Sequence, residues 1–323
     1  MTALFLGPAL AYLLATVALV VLLSPAIRNR LLDQPNARSL HAMPVPRSGG
    51  IAIMVGVVTA AIVVGAPPTL WGGALALAAL SLIDDWRTLP SGMRLIVHLV
   101  VAAAFARLCL GGAEAVVVVV AAIGIAWMAN LYNFMDGADG LAGGMAVSGF
   151  GVFGLAAASG GDTGLATICL LTATAALAFL HRNFPPARIF MGDAGSVPLG
   201  FLAGAIGVTG WRDGLWPWWF PWVVFAPFTV DASVTLARRA LRRERIWQAH
   251  RSHYYQRLIL GGWTHRRTAL TEYALMLGTG ALALACLRQP APVQGLLLGA
   301  GAVVYACLMI LVDVRGARDA GPR

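Results

Sequence analysis

Four polar side chains at three-residue spacing interrupt a strongly apolar part of the chain. Asn130, Asn133, Asp136 and Asp139 follow about fifteen almost entirely apolar residues, and on a helix this spacing places them on nearly one face. An ionised Asp at membrane depth costs roughly 2.5–3.5 kcal/mol, so such a cluster predicts a functional site. Its oxygens suit Mg²⁺, which prefers few protein oxygens together with phosphate. The alternative is an acidic helix cap, for which a single such residue would be enough.

Two further acidic breaks lie at the ends of apolar segments. SLIDDW ends with the adjacent Asp84 and Asp85, whose mutual repulsion suits a general base or a cation site; a solvated pair at a helix end is the alternative. FMGDAGS places Asp193 and Ser196 among glycines just before an apolar segment. Backbone N–H groups at such a position form a phosphate cradle, and Asp193 would then need a metal between itself and the phosphate. An ordinary N-cap role for Asp193 is the alternative.

Two polar loops offer cationic and hydrogen-bonding side chains. In the segment 237–267, His250, Arg251 and His253 supply donors for a diphosphate. In the segment 24–50, Arg38 and Arg47 are either phosphate ligands or simple topology-setting charges.

The composition identifies an integral membrane protein. Of the 323 residues, 59% are hydrophobic and 11% charged, whereas a soluble domain has about 25% charged residues. Continuous apolar runs exclude a transmembrane barrel, whose strands alternate. The four Cys lie singly within these runs, so their spacing predicts neither a metal site nor a disulfide framework.

These elements form one all-α polytopic membrane domain covering residues 1–323, with about 10–11 transmembrane helices. The predicted spans are 3–23, 49–65, 68–83, 95–111, 115–130, 141–158, 164–180, 197–210, 217–236, 268–287 and 293–312.

The basic residues predict the orientation of these spans. All 23 are Arg, and 20 fall in segments that share one side: 24–48, 84–94, 131–140, 181–196, 237–267 and the tail from 313. The positive-inside rule makes that side cytoplasmic, with the N-terminus periplasmic and the C-terminus cytoplasmic. All the polar motifs then lie at the cytoplasmic face. The net charge of +9 is explained by lipid headgroups and phosphate ligands, which leaves no role for nucleic acid.

Five motifs in order resemble one enzyme family over nearly the whole chain. SLIDD, NLYNFMDGADGLAGG, FMGDAGS, PFTVDASVTLARR and AHRSHYYQRL are similar to those of the polyprenyl-phosphate N-acetylhexosamine-1-phosphate transferases. The resemblance implies transfer of a sugar 1-phosphate from a UDP-amino sugar to undecaprenyl phosphate at the bacterial cytoplasmic membrane. It further implies Mg²⁺, for which Mn²⁺ can substitute, and allows a homodimer.

The resemblance also implies roles for individual residues. Asp193 is the metal-binding Asp, and Asn133 lies beside the metal and the diphosphate. One of Asp84 and Asp85 assists direct attack by the lipid phosphate; a covalent enzyme intermediate is the less favoured alternative. The side chain of Phe190 stacks on uracil, or is simply buried.

The resemblance also implies that His250 and His253 cover the diphosphate. The polar motifs themselves predict that Asn130 and Ser196 contact substrate, and that Asp136 and Asp139 are catalytic residues that shape the sugar-nucleotide pocket.

Departures from the family pattern bear on the sugar. The sequence HRSH at 250–253 replaces the three consecutive His of pentapeptide translocases. This favours UDP-GlcNAc or a modified amino sugar such as a 6-deoxy one, and a place at the start of O-antigen or wall polysaccharide synthesis. A phospho-MurNAc-pentapeptide translocase is the alternative. An ion-coupled transporter would instead need polar residues in mid-span.

Overall fold

The computed structural model describes residues 2–29, 31–33, 44–87, 89–246, 248 and 250–319. Within these residues the chain forms fourteen helices and one pair of short strands. The helices are α1 (Thr2–Leu22), α2 (Pro25–Arg28), α3 (Gly49–Val63), α4 (Pro68–Arg87), α5 (Ser91–Cys109), α6 (Ala115–Phe134), α7 (Leu141–Ser159), α8 (Thr163–Asn183), α9 (Asp193–Arg212), α10 (Phe220–Val224), α11 (Ala226–Leu241), α12 (Tyr254–Leu260), α13 (His265–Leu287) and α14 (Ala291–Asp319).

The predicted all-α membrane architecture is confirmed. Eight of the described helices are long and apolar enough to cross a membrane, and α3 is a shorter apolar helix. Each of the eleven predicted spans coincides with a helix or, in one case, with two successive helices. The mean hydropathy of +0.77 explains this, because a chain in lipid must satisfy its backbone groups internally. The membrane orientation stays a prediction.

The predicted span 217–236 is divided in the structure. It forms α10 and α11, which are separated at Phe225. Two prolines, Pro221 and Pro227, lie close to the break, and a proline cannot donate a helical hydrogen bond. The break shortens α11, whose C-terminal end carries several Arg residues into the 237–267 segment.

Helix α9 lies at the centre of the bundle and is buried along most of its length. Its glycines allow close packing on α6: a Cβ at Gly204 would lie 2.9 Å from the Cα of Ile125. Because α6 ends at Phe134 and α9 begins at Asp193, this packing brings the two main polar motifs to the same end of the bundle.

A short antiparallel pair, β1 (Leu32–Asp33) and β2 (Val45–Pro46), lies within the segment that was predicted to be a loop. Directly after β2, Arg47 forms a parallel bridge with Phe190, and the N–H of Phe190 donates to the carbonyl of Pro46 at 2.8 Å. This pairing fixes the backbone of Arg47 next to the start of α9.

Candidate active site

The start of α3 and the turn before α9 are joined through their backbones. The N–H groups of Gly49 and Gly50 donate to the carbonyls of Phe190 and Met191, each at 2.8 Å. Gly192 has a φ of 73°, a conformation that glycine adopts without strain. The turn therefore presents Asp193 at the first position of α9, beside the end of β2.

The Arg47 side chain is the meeting point of acidic residues from two helices. Its guanidinium contacts the carboxylate of Asp193 directly and lies 3.9 Å from that of Asp85. Asp85 comes from the end of α4 and Asp193 from the start of α9, so a single cationic group joins two predicted site motifs.

A second guanidinium, that of Arg94 in the first turn of α5, connects the same motifs. It lies 2.9 Å from the carboxylate of Asp84 and 3.6 Å from that of Asp193. Asp84 also accepts a hydrogen bond from the backbone N–H of Leu89 at 2.6 Å. Asp84 is thus held towards α5, whereas its neighbour Asp85 points to Arg47 and is more exposed, at 37% against 12%.

The predicted Asn pair of α6 lies beside this network. Asn133 accepts a hydrogen bond from the Ser196 hydroxyl at 2.7 Å, which ties the end of α6 to the first turn of α9. One turn earlier in α6, Asn130 donates to the carbonyl of Ala126 at 2.7 Å and lies close to His98 of α5. Asn130 and His98 therefore lie beneath the carboxylates.

Asp136, in the turn after α6, belongs to the same electrostatic environment. Its enclosed position raises its pKa to about 8, and the charge of Asp193 contributes to the rise. The charge of Arg47 and a hydrogen bond from the Gly192 backbone act in the opposite direction. A cation placed between Asp136 and Asp193 would favour the ionised form of both.

Asp139 has different partners from Asp136. Its carboxylate accepts from the backbone N–H of Ala187 at 3.0 Å and lies 3.2 Å from Nδ1 of His265, at the start of α13. The structure therefore places Asp139 in contact with the 184–192 segment and α13, and not in the ion pairs around Arg47.

The His250–His253 segment contacts the end of α6, next to Asn133. The His253 ring stacks on Phe134, with centroids 6.2 Å apart and an angle of 26°. Its Nδ1 lies 3.3 Å from the carboxylate of Asp231, a buried residue of α11. Because a carboxylate accepts, Nδ1 of His253 carries a proton and donates it to Asp231. Nε2 is then the ring atom that can contact a ligand.

His250 packs against His253 with ring centroids 4.8 Å apart. The backbone N–H of Ser252 lies 3.4 Å from Nδ1 of His250, and the Ser252 hydroxyl lies 2.8 Å from it. Nδ1 must then be an acceptor, so Nε2 carries the proton and can donate. Burial, His253 and Arg239 together lower the pKa of His250 to about 4, so the ring is a neutral donor near pH 7.

The other predicted substrate-binding residues have varied positions. Arg251 is exposed and has no ion pair among the residues that the structure describes. Phe190 is half-buried and is held by its backbone between β2 and α3. Arg38 lies outside the described residues.

The donor set around Arg47 fits a hard divalent cation in its chemistry. No group of three or more His, Cys, Asp or Glu among the described residues has metal-binding geometry. Mg²⁺, however, is usually held by one or two carboxylates together with substrate phosphates. Asp193 and Asn133 supply such oxygens, and the position of the Arg47 guanidinium shows that this point attracts a positive charge.

Sequence reasoning missed three residues of the site. Arg94 was counted only as a loop charge, although it begins the helix that follows Asp84 and Asp85. His98 lies one turn further along the same face of α5. Asp231 lies in the motif PFTVDASVTLARR but received no individual role, and its partners in the structure are His253 and the start of α12.

Comparisons with known proteins agree with these motifs. A sequence profile of glycosyl transferase family 4 matches residues 68–210. Over 273 residues, the chain is 30% identical to the Bacillus subtilis (strain 168) protein named "Probable undecaprenyl-phosphate N-acetylglucosaminyl 1-phosphate transferase", covering 77% of this chain and 75% of that protein.

Two further relatives differ in how much of the chain they match. A decaprenyl-phosphate N-acetylglucosaminephosphotransferase of Mycolicibacterium smegmatis is 30% identical over 298 residues, covering 77% of this chain and 73% of the relative. A phospho-N-acetylmuramoyl-pentapeptide-transferase of Lacticaseibacillus paracasei is 30% identical over 160 residues, covering only 48% of this chain and 49% of the relative.

Proposed function

The chain belongs to glycosyl transferase family 4, and we propose that it transfers an N-acetylhexosamine 1-phosphate from a UDP-linked sugar to a polyprenyl phosphate. An oxygen of the lipid phosphate attacks the sugar-bearing phosphorus. The bond from that phosphorus to the UMP oxygen breaks, so the products are UMP and a lipid diphosphate sugar. Atoms and charge balance without any oxidant or reductant.

The observation that carries this proposal is the convergence of acidic and basic side chains at one end of the helices. Two guanidiniums, Arg47 and Arg94, meet three carboxylates from α4 and α9, and Asp136 adds a fourth nearby. If all are ionised, four negative and two positive charges leave an excess of two negative charges. One divalent cation would neutralise that excess. Neutralisation is needed because a negatively charged site would repel the two anionic phosphates that it must bind.

Each group has a role that follows from its position. Arg47 and Arg94 offset the negative charge of the phosphates while one P–O bond forms and the other breaks. Asp85, exposed and directed away from α5, accepts a proton if the lipid phosphate arrives protonated, while Asp84 orients Arg94. Nε2 of His250 donates to the diphosphate as a neutral group. Direct attack needs no covalent enzyme intermediate, because a phosphate oxygen is itself a nucleophile.

We propose Mg²⁺ as the cofactor, with Mn²⁺ able to replace it. Asp193 and Asn133 would hold the ion. When bound, it would polarise the diphosphate and neutralise charge on the departing UMP.

The sugar is proposed to be N-acetylglucosamine or a modified N-acetylhexosamine. The HRSH sequence supports this, as does the use of N-acetylglucosamine in the names of relatives that match most of the chain. The product would start an O-antigen or wall polysaccharide in the bacterial cytoplasmic membrane. A homodimer is part of the same proposal.

Product analysis tests the proposal directly. Membranes containing the protein are incubated with undecaprenyl phosphate, Mg²⁺ and a panel of UDP-N-acetylhexosamines, and UMP and lipid diphosphate sugar are measured. We expect both products in equal amounts with UDP-GlcNAc or a modified analogue. Product from UDP-MurNAc-pentapeptide alone would instead establish the translocase alternative. Solute movement across vesicles without UMP release would establish a transporter.

A further inference from the structure

The last helix, α14, is joined to the 237–260 region through one carboxylate. Asp313 lies 2.6 Å from Nη1 of Arg257 in α12 and 2.7 Å from Nη1 of Arg238 in α11. It also accepts from the Tyr254 hydroxyl at 3.4 Å. No residue in the most apolar part of α14 is buried within the protein, so this polar contact is a principal attachment of its C-terminal part.

The Tyr254 ring completes the attachment. The guanidinium carbons of Arg238 and Arg257 lie 5.4 Å and 5.0 Å from its centroid, within the range of cation–π attraction. One carboxylate, two guanidiniums and one phenol therefore join α11, α12 and α14. We call these four residues, Arg238, Tyr254, Arg257 and Asp313, the C-terminal clamp.

The C-terminal clamp is connected to His253 through Asp231. The backbone N–H groups of Tyr254 and Tyr255 donate to the carboxylate of Asp231 at 3.0 Å and 3.1 Å. The same carboxylate contacts Nδ1 of His253. Asp231 thus fixes the start of α12 and the His253 ring together, and the ring stacks on Phe134 next to Asn133.

Helix α12 needs contacts of this kind because it has only seven residues. Isolated helices that short are not stable in water. Its orientation is set by Asp231 at its first turn and by Asp313 at Arg257, one turn further on. Without Asp313, two neighbouring guanidiniums would lose their shared counter-charge, and α12 would lose the polar contact that joins its Arg257 to α14.

We propose that Asp313 is a positioning residue for the transferase site, which acts on the UDP-sugar through α12 and His253. The proposal rests on the proposed function, since its kinetic consequence is a change in use of the nucleotide sugar. It assigns a role in substrate binding to α14, whose Asp313 pairs with Arg238 and Arg257 and not with Arg47.

Kinetics of Asp313 variants test this role. We expect Asp313→Asn to raise the KM for the UDP-sugar about tenfold, as loss of an outer-shell partner typically does, with little change in the KM for polyprenyl phosphate. Asp313→Glu should restore most of the loss. Asp213→Asn is the matched control: Asp213 also pairs with an arginine, at 2.7 Å, and is equally exposed, at 32% against 31%.

A His253→Gln background separates positioning from general stabilisation. If Asp313 acts through His253, adding Asp313→Asn to His253→Gln should raise the KM no further. An equal further rise, or an equal effect of Asp213→Asn, would overturn the proposal.

Amide hydrogen exchange provides a readout that needs no turnover. Asp313→Asn should accelerate exchange at the Tyr254 and Tyr255 amides, while Asp213→Asn should not. Unchanged exchange at both amides overturns the positioning role. If the wild type shows no transfer with any donor, the proposed function fails, and exchange alone then decides whether the clamp holds α12.

Discussion

The guanidinium of Arg47 lies against the carboxylate of Asp193, although 146 positions separate them in the chain. β2 carries Arg47 to the start of α9 by pairing its backbone with Phe190. The proposed metal ligand therefore has a protein cation as its partner in this structure. A divalent cation must share or displace that contact, so Arg47 and the metal would compete for Asp193.

Asp193→Asn should reduce transfer by at least about 100-fold, because the neutral amide cannot hold a divalent cation with comparable affinity. UMP release at saturating Mg²⁺ measures the loss. In addition, Mg²⁺ should raise the melting temperature of the wild type but not that of the variant. Asp162→Asn is the control, since Asp162 caps α8 at the opposite end of the bundle. Undiminished product from Asp193→Asn would contradict the site assignment.

Arg94 should be needed for the rate more than for folding. Arg94→Gln removes the ion pairs to Asp84 and Asp193, and we expect kcat to fall about tenfold to a hundredfold with a small change in melting temperature. Arg94→Lys should recover only part of the rate, since an ammonium keeps the charge but lacks the planar, multiple-donor geometry of a guanidinium. Full activity of Arg94→Gln would remove this residue from the site.

Substitutions of the adjacent Asp84 and Asp85 should affect catalysis differently. Asp85 is directed to Arg47, whereas Asp84 is bonded to Arg94 and to the Leu89 backbone. Asp85→Asn should lower kcat by about 100-fold if it accepts a proton, the lower range for general-base catalysis. Its pH–rate profile should lose the acidic limb, whereas Asp84→Asn should keep that limb at a reduced rate. The reverse pattern would exchange the two roles.

The sequence predicted the membrane helices well because long apolar runs leave few alternatives in lipid. It also predicted Asp84, Asp85, Asn133 and Asp193 as site residues, because polar residues in apolar surroundings stand out, and the structure brings them to one end of the bundle. The break at Phe225 was missed, although Pro221 and Pro227 mark its position.

Contacts between segments that are distant in the chain could not be predicted from the sequence. The spacing of Asp136 and Asp139 predicts a shared helix face, yet α6 ends at Phe134, before either residue. Asp139 consequently turns to His265, 126 positions away. Asp231 lies within the predicted span 217–236, and nothing in its spacing indicates its partners. Only the folded arrangement of α11 and α12 shows that it holds His253.

Acidification should destabilise the protein through His250. Its pKa is about 4 in the folded protein and about 6.5 in the solvated, unfolded chain, so between these values the unfolded state binds more protons. Stability therefore rises with pH in this window; the contribution is present above about pH 6.5 and is lost as pH falls towards 4. Melting temperatures between pH 4 and 7 should fall less steeply for His250→Gln than for the wild type. His181→Gln, at an exposed histidine, should retain the wild-type slope.

The contact between α3 and α9 should tolerate no side chain at Gly50. A Cβ there would overlap the backbone of Gly195, next to Asp193, and the N–H of Gly50 also fixes the carbonyl of Met191. We expect Gly50→Ala to cost about 1–3 kcal/mol, the usual range for overpacking, and to lower transfer by moving the Asp193 turn. Gly151→Ala is the matched control, because a Cβ in the middle of α7 would meet nothing within 4 Å. That variant should keep full activity and gain about 0.5–1 kcal/mol from reduced chain entropy. A Gly50→Ala protein with wild-type melting and turnover would show that α3 and α9 can separate without disturbing the carboxylate.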